Sequence, residues 1–170
     1  MFRHLATMVN AKARLLVTCA LFAAAAPLAS FAGAADTLIW AERSNGGLTT
    51  LAYGPLDPAI NPLFLLSCFS DMSIVVLDVH KEVVGVAPGK PLTIELSSTK
   101  TQAPIEGEVA QDETSGKTFG EASDIKLKPV LDVLRDPGSL TLKMGETTAT
   151  LSDQGRADAV SEFSKNCTIE

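Results

Sequence analysis

The sequence predicts a mainly β domain, an antiparallel β-sandwich or open barrel with a short C-terminal helix tied down by a disulfide. Three observations carry that prediction. Short strand-forming segments recur between clusters of Gly, Pro, Asn and Asp. Several of those segments alternate apolar and polar residues with the period of two that a half-buried strand needs. The last stretch, Arg156 to Asn166, changes to helical spacing and runs directly into a cysteine.

Thr37 to Glu42 reads as a first strand and Leu48 to Tyr53 as its returning partner. Between them, Ser44-Asn45-Gly46-Gly47 supplies residues that tolerate positive φ, as a tight hairpin turn requires. Pro55, Pro58 and Pro62 make Gly54 to Pro62 an irregular connection. Leu63 to Phe69 is apolar enough for a buried strand, with Cys68 near its end. A turn at Ser70-Asp71 leads into Ser73 to His80, where Val75, Leu77 and Val79 form the expected core face. After a Pro88-Gly89-Lys90 turn, Leu92, Ile94 and Leu96 point one way and Thr93 and Glu95 the other. Ile105 to Ala110 and Thr118 to Ala122 flank the polar segment Gln111 to Lys117 as a hairpin with a soft tip.

Pro129 starts a short helix with Val130, Leu131, Val133 and Leu134 as its apolar residues, and Asp136-Pro137-Gly138 ends it. Leu140 to Met144 and Thr147 to Leu151 form a hairpin around Gly145-Glu146. In the final helix Ala159, Val160 and Phe163 are apolar, and Ser152 or Asp153 can cap its start. Docking it beside the Leu63 to Phe69 strand would bring Cys167 to Cys68.

The amino terminus has a different character. Arg3, Lys12 and Arg14 precede an apolar run from Leu15 to Leu28, and Ala32-Gly33-Ala34 supplies small residues for cleavage. That order predicts a secretory signal peptide over residues 1–34 and a single exported domain over residues 35–170. The run falls short of the roughly 20 residues a spanning helix needs, so no membrane span is expected in the mature chain. Cys19 leaves with the leader, and the remaining Cys68 and Cys167 are expected to pair in an oxidising compartment. Closing so long a loop stabilises by about 4–5 kcal/mol in the chain-entropy description.

Three of the 14 basic residues and none of the 20 acids precede Ala35, so cleavage shifts the net charge from −6 to −9. Such an acidic domain is a poor nucleic-acid binder and suits a basic partner through electrostatic steering. Catalytic equipment is sparse. His80 is the one histidine of the processed chain and sits at a strand end, in keeping with a solvent-facing residue. There is no Cys-x-x-Cys, His-x-x-x-His or His-Glu-x-x-His spacing, no EF-hand loop and no glycine-rich phosphate signature. No cofactor, metal or catalytic set is therefore expected. Glu106 and Glu108 share one strand face, where carboxylates usually serve as polar covering, although paired carboxylates also run glycoside hydrolysis. Asp112 and Glu113 at the hairpin tip, with Trp40 and Tyr53 as groove-lining aromatics, form the candidate binding surface. The same two aromatics suit a core position.

The tract Pro62-Leu63-Phe64-Leu65-Leu66-Ser67-Cys68, the paired strands after it and the ending Phe163-Ser164-Lys165-Asn166-Cys167 carry a resemblance. Together they resemble the periplasmic accessory proteins associated with type VI secretion and, more loosely, the invasion-associated protein B family. That resemblance implies an early Leu-x-Cys strand, a helix ending in the second cysteine, and a periplasmic or secreted location. The expected role is non-enzymatic binding to another envelope or secreted protein. The alternative is inhibition of a cationic hydrolase such as lysozyme or a protease, with a carboxylate enzyme as a third class.

Overall fold

The structure, a computed structural model, describes residues 37–169. The predicted leader, residues 1–34, lies outside the described residues. Nine strands follow one another as β1 (Ile39–Asn45), β2 (Leu48–Gly54), β3 (Phe64–Phe69), β4 (Ile74–Val79), β5 (Pro91–Ser97), β6 (Gln102–Gln111), β7 (Thr118–Ala122), β8 (Leu140–Met144) and β9 (Thr147–Leu151). Helix α1 (Leu127–Leu134) lies between β7 and β8, and α2 (Arg156–Asn166) follows β9. All nine strands join one antiparallel sheet in the order β1-β2-β3-β4-β7-β6-β5-β8-β9. The sheet curls into a half-barrel, so the open-barrel side of the sequence expectation is the observed one.

Alternation decides which side faces inward. Val75, Leu77 and Val79 of β4 and Leu92, Ile94 and Leu96 of β5 are all buried, as their period of two predicts. Helices α1 and α2 fill the concave side, α1 against β5 and β6 and α2 against β1 and β2. The curl is tight. At Gly120 of β7 an added Cβ would lie 2.5 Å from the sulfur of Met144 on β8, so a side chain there would have to displace the Met144 thioether.

The outer strands are covered in part, as edge strands in soluble proteins commonly are. On β1, the Trp40 amide donates to the carbonyl of Gln154 in the loop that leaves β9 (3.3 Å). Along β9, Lys81 donates through Nζ to the Thr148 carbonyl (2.9 Å), and Thr147 Oγ1 donates to the Glu82 carbonyl (2.7 Å).

Several details differ from the sequence expectation. Strand β1 runs from Ile39 to Asn45 and not from Thr37 to Glu42, β6 begins at Gln102 and not at Ile105, and α1 begins at Leu127, two residues before Pro129. The start of α2 is not capped by Ser152 or Asp153. Gly155 holds the cap position with φ of 76°, and Ser152 instead uses its amide and hydroxyl to bond the Tyr53 hydroxyl (3.1 and 3.2 Å). Helix α2 lies mainly across β1 and β2, and it is Cys167 at its C-terminal end that reaches β3. The Cys68–Cys167 disulfide is present, with a Cα separation of 5.7 Å and 99 residues between the partners.

One contact has no precedent in the sequence reading. Arg156, only 2% exposed, opens α2 and turns its guanidinium towards the end of α1. Its Nε donates to the Leu134 carbonyl (3.0 Å) and its Nη2 to the carbonyls of Asp136 and Gly138 (the latter at 2.6 Å). Burial pushes its pKa down, while Asp153 and Asp136 push it back up. It remains charged, because an arginine starts so far above neutrality.

Two stability measurements follow. Replacing Cys68 or Cys167 with Ser should cost about 2–5 kcal/mol in denaturant unfolding and release α2 first in hydrogen exchange. Arg156→Ala should cost about 1–3 kcal/mol through the carbonyls it leaves unpaired. Arg156→Lys should recover only part of that loss, since an ammonium lacks the planar fork that spans three acceptors.

Candidate functional site

A concavity with an apolar floor arises where the sheet parts. Strand β6 pairs with β5 along its length from Gln102 to Glu108, but with β7 only from Glu108 to Gln111. Strand β7 ends at Ala122, which pairs with Leu77 of β4, and the chain then turns through Asp124 at φ of 53°. The amide of Ile125 donates to the Val75 carbonyl (3.2 Å), so this loop follows β4 and leaves β6 behind. The result is a cavity of about 470 Å³ between β6 (Ala103–Glu106), the Ser123–Lys126 loop and Pro129 and Val130 of α1.

Two residues of β6 fit this divergence. At Gly107 an added Cβ would meet the Glu121 carbonyl oxygen at 2.2 Å, so the strands can cross closely there only because a glycine is present. Pro104 has no N–H to offer a neighbouring strand, which is why proline belongs at strand edges. The Ser98 amide bonds the Thr101 carbonyl (2.9 Å) at the β5–β6 turn, which fixes the phase of the ladder. Ala103, Ile105 and Gly107 thus bond towards β5. The amide and carbonyl of Gln102, the carbonyl of Pro104, and the amide and carbonyl of Glu106 face the cavity.

The cavity has two kinds of wall. Ala103, Ile105 and Val130, at 5% exposure or less, form an apolar floor. Glu106, Asp124 and Lys126 ring the mouth and are exposed. A smaller hollow of about 150 Å³ lies under the predicted irregular loop, between Leu56, Ile60 and the outward residues Ile39, Ala52 and Leu65. Leu56 and Ile60 are 67% and 46% exposed.

The residues chosen from sequence are dispersed. Trp40 and Tyr53 are buried at 3% and 4% exposure and stack 5.2 Å apart, so they fill the core and do not line a surface groove. Each spends its polar end on the loop after β9: Trp40 Nε1 donates to the Ser152 carbonyl at 2.6 Å. Asp112 and Glu113 are exposed at the β6–β7 tip. There Asp112 Oδ1 accepts the amides of Ser115 (2.6 Å) and Thr114 (3.1 Å), and these bonds hold its pKa below the usual carboxylate value. Asp112 therefore shapes its own turn. His80 is half-buried against Phe119, with ring centroids 5.2 Å apart. Glu106 and Glu108 are both exposed on the outer face. Among the described residues no group of three or more His, Cys, Asp or Glu side chains is placed to hold a metal ion, and no helix is long and apolar enough to cross a membrane.

A row of acids crosses the outer face beside the cavity. Asp78 of β4 pairs with Glu121 of β7, which pairs in turn with Glu108 of β6. Burial raises the Asp78 pKa most, His80 opposes the shift and Glu121 adds to it. The sequence reading missed both this row and the cavity. The periodicity of each strand and the hairpins β1–β2, β6–β7 and β8–β9 were legible, but the long-range neighbours β4–β7 and β5–β8 were not.

No protein-family model matches the chain, and comparisons with curated proteins and with solved structures return no match.

The Asp78 shift has a measurable consequence. Its folded pKa is raised, so its contribution to stability is fully present below the unfolded value and is lost as pH rises through the folded value. Asp78→Asn should flatten stability across that window and raise it at pH 7, by less than about 1 kcal/mol for a half-buried cross-strand pair of like charges. Urea unfolding of both proteins at a series of pH values from 3 to 7 reads this directly.

Proposed function

We propose that this chain is an exported, non-enzymatic binding protein of the bacterial cell envelope, acting through contacts with another envelope or secreted protein. The observation that carries the reading is the parting of the sheet at β6. It combines an apolar floor, a charged rim and unpaired main-chain groups on a scaffold locked by a disulfide. Partner-binding sites commonly join such elements, with the apolar centre supplying affinity and the polar rim specificity. The leader-like first 34 residues, the net charge of −9 after their removal and the resemblance to periplasmic accessory proteins support the compartment.

Immobilised, oxidised protein should retain a specific partner from periplasmic extract. Ser123 is exposed at the cavity wall, so Ser123→Trp should fill the site with a stability change of about 0.5 kcal/mol or less and abolish retention. Unchanged retention by that variant would move the binding surface elsewhere. A failure of the unaltered protein to retain anything would remove the binding reading.

A second reading is inhibition of a cationic hydrolase, favoured by the Asp78–Glu121–Glu108 row and the exposed Asp112-Glu113 tip. It requires inhibition of a lysozyme lysis assay at low salt that weakens as salt is raised.

A further inference from the structure

We infer that the parting of the sheet at β6 is a strand-addition site, taking an extended partner segment in which apolar residues alternate with Lys or Arg. This rests on the binding-protein reading and specifies its partner. The backbone supplies the first argument. From Gln102 to Gly107, β6 is paired on the β5 side and unpaired on the other. The groups of Gln102, Pro104 and Glu106 facing the opening comprise two amides and three carbonyls, spaced as an incoming strand would use them. Pro104 lowers the number of donors, which guards the edge against indiscriminate pairing while leaving its carbonyl free.

Side chains supply the second argument. An added strand alternates its residues between the two sheet faces. Inward residues would meet Ala103, Ile105 and Val130, all nearly fully buried and apolar. Outward residues would lie beside Glu106, with Glu95 and Glu108 exposed on the same face. At the mouth, two acids, Glu106 and Asp124, stand against Lys126 alone. Opposite charges on directly neighbouring strands attract and like charges repel, so the outward residues of the occupant should be basic. The cavity volume, about 470 Å³, lies within the range of roughly 300–1,000 Å³ typical of ligand sites.

The test uses a blocked seven-residue peptide alternating valine and lysine, added to the oxidised protein labelled with ¹⁵N. Binding should slow exchange of the Gln102 and Glu106 amides at least about tenfold at saturation, because both become strand hydrogen bonds. Two further peptides carry N-methyl groups at the odd or at the even positions. One should lose binding and the other keep it, since only one set of amides faces β6. A valine–glutamate peptide should bind about fivefold more weakly, and Glu106→Lys, at an exposed position, should reverse that preference.

Equal binding by both methylated peptides, or exchange changes confined to the Leu56–Ile60 hollow, would overturn strand addition. So would slowing of the same amides by raised protein concentration alone, which would make a second copy of this chain the occupant. No peptide binding, with retention of an extract partner still abolished by Ser123→Trp, would defeat the strand-addition inference and leave the binding-protein reading standing. Loss of that retention result as well would defeat both.

Discussion

The buried guanidinium of Arg156 is the contact on which the interior arrangement depends. A curled sheet of nine strands presents a concave apolar wall, and two short helices must be held against it. Neither helix could hold itself. Isolated helices of eight and eleven residues are marginal in water. Arg156 joins them by taking the carbonyls of Leu134, Asp136 and Gly138, where α1 ends and the chain turns towards β8. A second bond between Arg135 Nη2 and Ser164 Oγ at 3.0 Å runs between the same two helices at the surface. Asp136 also accepts Ser98 Oγ (2.5 Å) and Thr101 Oγ1 (2.7 Å), so the β5–β6 turn is bound to the same corner. These two bonds hold the Asp136 carboxyl below its ordinary pKa.

From that corner the site follows. Fixing α1 against β5 and β6 forces the chain leaving β7 to swing away from β6 in order to reach the helix. The swing is what opens the cavity, and Gly107 and Pro104 are the residues that accommodate it. The same feature that fills the barrel interior therefore leaves part of one inner strand without a neighbour. A sheet with a regular β7 would have no such opening, and its acidic outer row would be continuous with ordinary solvated covering.

Much of the fold was legible in the sequence because its signals are local. The Gly46-Gly47 and Gly145-Glu146 turns, the inward faces of β4 and β5 and the limits of α2 all follow from alternation, turn chemistry or helical spacing. The cysteine pairing was legible because only two of the cysteines, Cys68 and Cys167, lie beyond the predicted leader. What escaped was non-local. Arg156 looks like an ordinary first-turn cation until α1 is placed beside it. Trp40 and Tyr53 suit a groove as well as the core that such aromatics more often fill, and their burial in the folded sheet decides for the core. Ser152 suits a helix cap in sequence because its hydroxyl has two uses, and the Tyr53 hydroxyl it bonds lies 99 residues away. The cavity depends on where strand pairing stops, which no single segment encodes.

The disulfide divides the domain in a way that matters when it is pulled. Cys68 lies at the end of β3 and Cys167 just past α2, so β4 to β9 and both helices fall inside one covalent ring. Among the described residues, β1, β2 and most of β3 precede it. A load applied between Leu38 and Ile169 would cross the bridge and bypass everything enclosed. Strands β1 to β3 could be stripped away in sequence, yet the ring would not lengthen. As a mechanical element the domain is a short tether attached to a closed loop, and the opening at β6 lies within the loop, shielded from tension.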